Sequence, residues 1–158
     1  MSKKTKKFIS YYKPYKKLFF TDMLFALMVS GITLIYPLIV RYITNTVLVN
    51  YETAEAMPII IKLAVLMVGL AILELIGNFY ITYKGHFMGA NIEFDMRNEI
   101  FEHYQKLSFN FYDNKKIGQL MSRITNDLFD ITELCHHGPE DIVISIIKFV
   151  GAFIILLC

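Results

Sequence analysis

Four residues just before the last apolar segment form the only cluster in this sequence whose side chains are typical metal ligands. The cluster consists of Cys135, His136, His137 and Glu140. Adjacent residues point apart on a helix, whereas His136 and Glu140, four residues apart, share one face and could hold one ion. We expect a polar interhelical face here rather than a metal site, and no resident cofactor in the chain. Cys135 and Cys158 have neither zinc-site nor redox-motif spacing.

Two charged residues, Glu74 and Lys148, lie deep within otherwise apolar segments. An ionisable side chain there costs about 2.5 to 3.5 kcal/mol on insertion scales, which favours a partner, a wet cavity or, for lysine, snorkelling to the membrane surface. Glu74 is nine residues before Tyr83 and Lys148 is seven after Asp141, so their depths match at ~10 to 14 Å. The sequence predicts a direct Glu74–Lys148 pair or exposure of Glu74 to a substrate cavity, in which we include Asn78. No nucleophile set or catalytic acid pair is recognisable.

The composition is typical of a membrane protein. The 158 residues are 55% hydrophobic and 19% charged, with a mean hydropathy of +0.45, which is more apolar than an ordinary soluble domain. Met23 to Val40 is an 18-residue run without a charge, and with Leu18 to Asp22 it reaches the ~20 residues that a spanning helix needs. It lacks the small-residue cleavage site of a signal peptide. Met57 to Tyr83 and Ile142 to Cys158 can also span, and because the chain stops inside the latter we interpret it as a fragment.

The distribution of cations predicts a cytoplasmic amino terminus. Seven lysines precede the first span: Lys3, Lys4, Lys6, Lys7, Lys13, Lys16 and Lys17. The loop over residues 42–56 carries Glu52 and Glu55 and no lysine or arginine, as the positive-inside rule requires of an external loop, and only Arg41 is out of place. A lysine-rich nucleic-acid or nuclear-targeting patch is disfavoured because a hydrophobic helix follows at once, and the net charge is only +2. We expect a multi-pass protein of the cell membrane.

Between the second and third apolar segments lies a polar stretch with helical patterning. Apolar residues recur at roughly helical spacing over residues 84–108, so the second span is expected to continue out of the membrane as one helix. Turn-forming residues then cluster at Asn110, Asp113, Asn114 and Gly118. We expect Thr125 or Asn126 to cap the next helix, which Pro139 would kink. Near the amino terminus, lysines and aromatics interleave around Pro14, which suits an amphipathic helix at the membrane surface.

Two stretches of the sequence resemble one family. "YYKPYKK" and "MRNEIFEHYQKLSFNFYDNKKIGQLMSRITND" are similar to the transmembrane domain of ABC exporters with the type IV, multidrug-export-like fold, and the resemblance covers the whole chain. "DLFDITELCHHGPED" further resembles a group of bacterial exporters. The positions that match the family pattern in order and spacing are Met96, Arg97, Phe101, His103, Leu107, Phe111, Tyr112, Asp113, Gly118, Leu120, Ser122, Arg123, Asn126 and Asp127.

This resemblance implies an all-α membrane protein with a cytoplasmic helical hairpin. Its expected elements are an elbow helix at 8–17, a first span at 18–42, a second span with a cytoplasmic extension at 57–108, a coupling helix at 117–124, and a third span with its extension at 126–158. In the family the coupling helix rests in a groove on a nucleotide-binding domain. The residues expected to serve that contact are Phe111, Tyr112, Asp113, Gly118, Gln119, Ser122, Arg123 and Asp127.

The resemblance also implies partners that this sequence does not contain. It has no GxxxxGK[ST] phosphate loop, Walker B acid or ABC signature, so ATP and Mg²⁺ would bind a nucleotide-binding domain elsewhere. The implied function is the permease part of an ATP-driven exporter, with a second half as homodimer or heterodimer in the lipid bilayer and no nucleic acid. A rival hypothesis is a small membrane adaptor that binds its partners through residues 111–133. An intramembrane enzyme is disfavoured because no catalytic grouping lies in the spans.

Three of the expected contact residues also have simpler interpretations. Arg123 could pair with Asp127 on its own helix rather than with a partner domain. Phe111 and Tyr112 could pack the base of the hairpin instead of anchoring in a groove. Gly118 could serve only the backbone geometry of a helix start.

Overall fold

The computed structural model describes residues 3–113 and 115–157, apart from the side chains of Lys3, Lys4 and His136. All regular elements in these residues are helical and no strand occurs among them, which confirms the predicted all-α class. Asn114, predicted to help break the helix, and Cys158 lie outside the described residues.

The amino-terminal region differs from the predicted elbow helix at 8–17. Helix α1 spans Lys3–Ser10, turns follow over residues 11–15, and α2 spans Lys16–Tyr42. Pro14 lacks an amide hydrogen and disfavours helical geometry at the residue before it, which explains why the chain turns there. A π-helical turn at Ile43–Val47 and the short helix α3, Leu48–Asn50, continue from α2.

A single long helix carries the second apolar segment into the polar stretch. Helix α4 spans Thr53–Gln105, 53 residues, and so begins four residues before and ends three residues before the predicted 57–108. This is more than twice the ~20 residues that cross a bilayer. The short helix α5, Phe109–Asp113, then follows within the predicted cluster of turn-forming residues.

The last three helical elements are contiguous. Helix α6 spans Ile117–Ser122, a π-helical turn spans Arg123–Asp127, and α7 spans Leu128–Leu157. The prediction that Thr125 or Asn126 caps a new helix is wrong: the Thr125 hydroxyl donates to the Met121 and Ser122 carbonyls, at 3.1 and 3.3 Å, within uninterrupted helix. A π-helical turn changes the direction of side chains without breaking the helix, so no cap is needed. The sequence carries Pro139 inside α7.

Two helical stretches are long and apolar enough to cross a membrane, Lys16–Asn50 and Thr53–Gln105. Within the second stretch, the rest of the chain buries none of the 18 most apolar consecutive residues. Within the first stretch, it buries 28% of the corresponding 18 residues. A core helix of a soluble protein would instead be mostly covered. The third predicted span, in α7, stays a prediction, since the last 18 described residues carry Glu140, Asp141 and Lys148.

The helices divide into two compact units, each of which has its own core. The first unit comprises residues 3–22, 83–113 and 115–139, and the second comprises residues 23–82 and 140–157. In the first unit Met88, Ile92 and Cys135 are buried together. The side chains packed against them are Phe8, Tyr11, Tyr12, Tyr15, Leu18, Phe19 and Met96. Aromatic residues of the amino-terminal region therefore cover the core formed by α4 and α7.

The second unit has a small core of tightly packed helices. Ala26, Val29 and Ile81 are buried there. The Phe25 ring stacks on the Tyr80 ring with 4.1 Å between their centroids. Gly77 faces this contact: a Cβ added to it would lie 2.6 Å from the Val29 Cγ2 atom, so the small residue permits close approach of the helices.

Candidate functional site

The segment at 117–127 contains the predicted coupling helix at 117–124 and the predicted contact residue Asp127, and it has one apolar face and one polar face. Leu120, Ile124 and Leu128 are buried and recur every four residues, so they form a single stripe along the helix. The predicted contact residues on this segment are exposed: Gly118, Gln119, Ser122, Arg123 and Asp127. The stripe holds the segment against its own unit and leaves its polar face available to a partner.

The turn before this segment is tied to the end of α4. The Tyr112 hydroxyl donates a hydrogen bond to the Tyr104 carbonyl at 2.5 Å. Phe111 and Tyr112 are half-buried, while Asp113 is exposed. Tyr112 therefore packs the base of the hairpin, as the simpler interpretation expects, and part of each ring remains accessible.

Gly118 is not needed for local backbone geometry. No glycine among the described residues has a positive φ, and a Cβ added at Gly118 would have no atom of the described chain within 4 Å. The interpretation that the helix start requires glycine is therefore wrong. The absence of a side chain leaves a flat, open patch of backbone at the start of α6.

An open groove of about 270 Å³ lies beside α6. Its lining residues are Tyr104, Phe111, Lys115, Lys116, Gln119, Leu120 and Arg123. Three of these are cationic, so the groove favours acidic or polar groups on whatever enters it. No ion pair joins Arg123 to Asp127 among the described residues. Both residues lie in the π-helical turn Arg123–Asp127.

Glu74 has hydroxyl partners within the second unit. Its carboxylate accepts hydrogen bonds from the Tyr36 hydroxyl at 3.0 Å and from the Thr33 hydroxyl at 3.4 Å. Asn78 and Lys148 are exposed, and the ion pairs among the described residues do not include Glu74 with Lys148. The structure thus gives the carboxylate two neutral donors instead of bringing the predicted pair together.

A comparison with known protein families decides what kind of domain carries this geometry. A family model described as the ABC transporter transmembrane region matches residues 19–158. The chain belongs to the ABC transporter transmembrane family. It is therefore a membrane protein.

This ABC transporter transmembrane region has relatives in Bacillus subtilis strain 168. It is 45% identical over 152 residues to "Uncharacterized ABC transporter ATP-binding protein YwjA", covering 96% of this chain and 26% of that protein. It is 30% identical over 133 residues to the similarly named YknU, covering 84% and 22%. It is 26% identical over 154 residues to "Putative multidrug export ATP-binding/permease protein YgaD", covering 96% and 27%. The chain spans about a quarter of the length of these relatives.

Polar contacts fasten the amino-terminal region of this transmembrane region to α4. The Lys7 ammonium and the Tyr11 hydroxyl both bond the Glu99 carboxylate, and the Tyr15 hydroxyl donates to Asp95 at 2.8 Å. The bond from Lys7 and then that from Tyr11 lower the pKa of Glu99. Burial, followed by the bond to Glu99, raises the pKa of Tyr11 to about 12. Tyr11 thus remains a donor throughout the physiological pH range.

Of the predicted cluster of metal-ligand residues, only His137 belongs to a possible metal-binding group among the residues that the structure describes. Cys135 is buried in the apolar core, and burial raises the pKa of its thiol. The His136 side chain lies outside the described residues, and Glu140 is a buried residue of the second unit. His137 instead lies with His86 and Glu133.

Sequence reasoning did not find this second group. Glu133 and His137 are four residues apart on one helix, which is a readable signal. His86 precedes Glu133 by 47 residues, and nothing local indicates that α4 brings it there.

Proposed function

We propose that this chain is part of the permease domain of an ATP-driven exporter. The proposal draws on its membership of the ABC transporter transmembrane family and on relatives whose printed names include ATP binding and, for YgaD, multidrug export. The nucleotide-binding domain and a second transporter half supply the parts that the chain lacks. ATP and Mg²⁺ bind to that domain, and the amino terminus faces the cytoplasm.

The observation that carries the coupling role is the two-faced segment at 117–127. Its apolar stripe is buried in its own unit, so a push on the exposed face moves the helices α4 and α7 rather than only the segment. Gly118 offers bare backbone for close approach, and the groove beside α6 offers three cations to an acidic partner surface. Closure of ATP-bound domains would displace the segment, and the packed helices transmit that displacement to the membrane.

We propose that Glu74 and Asn78 line the transport pathway within the membrane. Hydrogen bonds from Tyr36 and Thr33 orient the Glu74 carboxylate without neutralising it as a lysine partner would. An acceptor held in this way suits a cationic or hydrogen-bond-donating substrate.

The proposal is tested by separating ATP hydrolysis from transport in the full-length protein that carries this chain. Arg123→Ala should lower the amount of substrate transported per ATP hydrolysed, since it removes a cation from the partner-facing groove but touches no nucleotide. Lys106→Ala is the matched control, because Lys106 is an exposed cation just past the end of α4 whose ion pair among the described residues is with the nearby Glu102. Loss of nucleotide binding in Arg123→Ala, or equal effects of the two substitutions, would contradict the assigned role. An adaptor without transport would show no ATP-dependent substrate movement in the wild type.

A further inference from the structure

Three side chains from two helices converge within the first unit. His86 extends from α4, and Glu133 and His137 lie one turn apart on α7. The His86 Nδ1 atom is 4.0 Å from one Glu133 oxygen, and the His137 Nε2 atom is 3.7 Å from the other. One ligand atom from each residue lies within 4.8 Å of the others. The two imidazole rings meet edge to face, with 5.4 Å between their centroids.

The chemistry of this group selects among cations. Two imidazole nitrogens and one carboxylate are a ligand set that Zn²⁺ and its transition-metal neighbours use, with water completing the coordination. Mg²⁺ and Ca²⁺ prefer oxygen ligands and are disfavoured here. Bonds of ~2.0 to 2.2 Å in a tetrahedral arrangement place neighbouring ligand atoms ~3.3 Å apart. The largest separation therefore has to close by about 1.5 Å, which small rotations of these half-exposed side chains can supply.

A buried carboxylate without a hydrogen-bond partner in the described chain lies in the same structural unit as the three ligands. Asp22 is only 1% exposed, and neither of its carboxylate oxygens has a hydrogen-bond partner among the described residues. A buried acid without a partner is costly, and a cation bound in the same unit would offset part of that cost.

We propose that His86, Glu133 and His137 bind a divalent transition-metal ion of the Zn²⁺ class. The ion joins α4 to α7, two helices that meet in the first unit through the core of Met88, Ile92 and Cys135. Metal binding therefore clamps the helix pair that carries the proposed coupling segment. The site itself does not depend on the proposed transport function, because its ligands belong to one structural unit.

The proposal is tested by titrating the full-length protein in detergent with Zn²⁺ by calorimetry, and with Co²⁺ by visible absorption. We expect one ion per chain and no comparable binding of Mg²⁺. The visible bands of bound Co²⁺ should be intense, as they are when the ion has a low coordination number. His86→Ala and His137→Ala should each abolish the calorimetric site and the cobalt spectrum.

Two control variants locate the site. His103→Ala removes a different histidine of α4, and His136→Ala removes the neighbour of His137; both should retain binding. The ligand side chains are half-exposed, so their substitution should not unfold the protein, and the thermal midpoint without metal serves as the check. Absence of Zn²⁺ binding in the wild type, unchanged binding in the His86→Ala/His137→Ala double variant, or loss of binding in His103→Ala would each overturn the proposal.

Discussion

The Tyr12 hydroxyl donates a hydrogen bond to the Cys135 carbonyl across a sequence separation of 123 positions, with 2.5 Å between the two oxygens. In an α-helix that carbonyl would accept the amide of residue 139, but residue 139 is a proline and has no amide hydrogen. Tyr12 thus satisfies the one acceptor that Pro139 leaves without its helical donor. The amino-terminal region therefore supplies the hydrogen bond that the proline removes from α7.

Tyr12→Phe should destabilise the protein by about 1 to 3 kcal/mol, because it leaves a buried carbonyl without a donor. In the Pro139→Ala background the main chain regains the amide, so the same substitution should cost less. A double-mutant cycle of unfolding free energies in detergent measures this coupling. Tyr51→Phe, at an exposed tyrosine, is the control and should be neutral. Additive effects of Tyr12→Phe and Pro139→Ala would show that the two residues act separately.

The contact of Lys7 and Tyr11 with Glu99 should be sensitive to acid. These hydrogen bonds lower the folded-state pKa of Glu99 below its ordinary value of 4.5. The stabilisation is therefore complete above pH 4.5 and is lost as the pH falls through the lowered folded value. Its size is at most about 1 kcal/mol, since the Glu99 side chain is 48% exposed.

Hydrogen exchange of α1 amides, corrected for intrinsic rates, should consequently accelerate in that acid window. Glu99→Gln should already exchange quickly at neutral pH and lose the pH dependence. Glu102→Gln, which breaks the pair with Lys106 just past the end of α4, should behave as the wild type. If the amides of α1 are protected equally in the wild type and in Glu99→Gln at every pH, the contact with Glu99 does not hold α1 against α4.

Gly77→Ala should disturb the second unit, whereas Gly69→Ala should not. A Cβ at position 77 would lie 2.6 Å from Val29 and 2.9 Å from Met28, while one at position 69 would meet nothing within 4 Å of the described chain. Overpacking of this kind costs about 1 to 3 kcal/mol. Thermal stability in detergent provides the measurement, and Val29→Ala should partly rescue Gly77→Ala. Equal effects at the two glycines would mean that close packing at position 77 is unimportant.

Glu74→Gln should leave insertion and expression normal while reducing transport of cationic substrates. The substituted side chain keeps an oxygen that can accept from Tyr36, so the local structure is preserved and only the charge is removed. Transport assays with matched cationic and neutral substrates measure the difference. If Glu74→Lys and Lys148→Glu each abolish expression and their combination restores it, the two residues form an ion pair and the cavity assignment is wrong.

The sequence predicts best what depends on neighbours along the chain. The apolar run and helical spacing indicated α4 to within a few residues, because length and periodicity are local properties. Capping propensity at Thr125 gave the wrong answer, since a π-helical turn kept the helix intact and removed the need for a cap. The group of His86, Glu133 and His137 could not be foreseen, because it depends on the register between two helices. That register is set by packing around Met88 and Ile92, which no periodicity reports.

The most direct test of the central claim is disulfide cross-linking at the coupling segment in the full-length protein. Gln119→Cys should cross-link to a cysteine placed on the nucleotide-binding domain, and the yield should change when ATP is added. Cys135 can remain, since it is buried and its raised pKa keeps the thiol unreactive. Cys158→Ser removes the other thiol of this chain, and any further cysteine of the full-length protein is likewise replaced by serine. Glu52→Cys, in the loop expected on the opposite side of the membrane, is the control and should give no cross-link. Cross-linking of Gln119→Cys that is absent, or that is unaffected by ATP, would contradict the account.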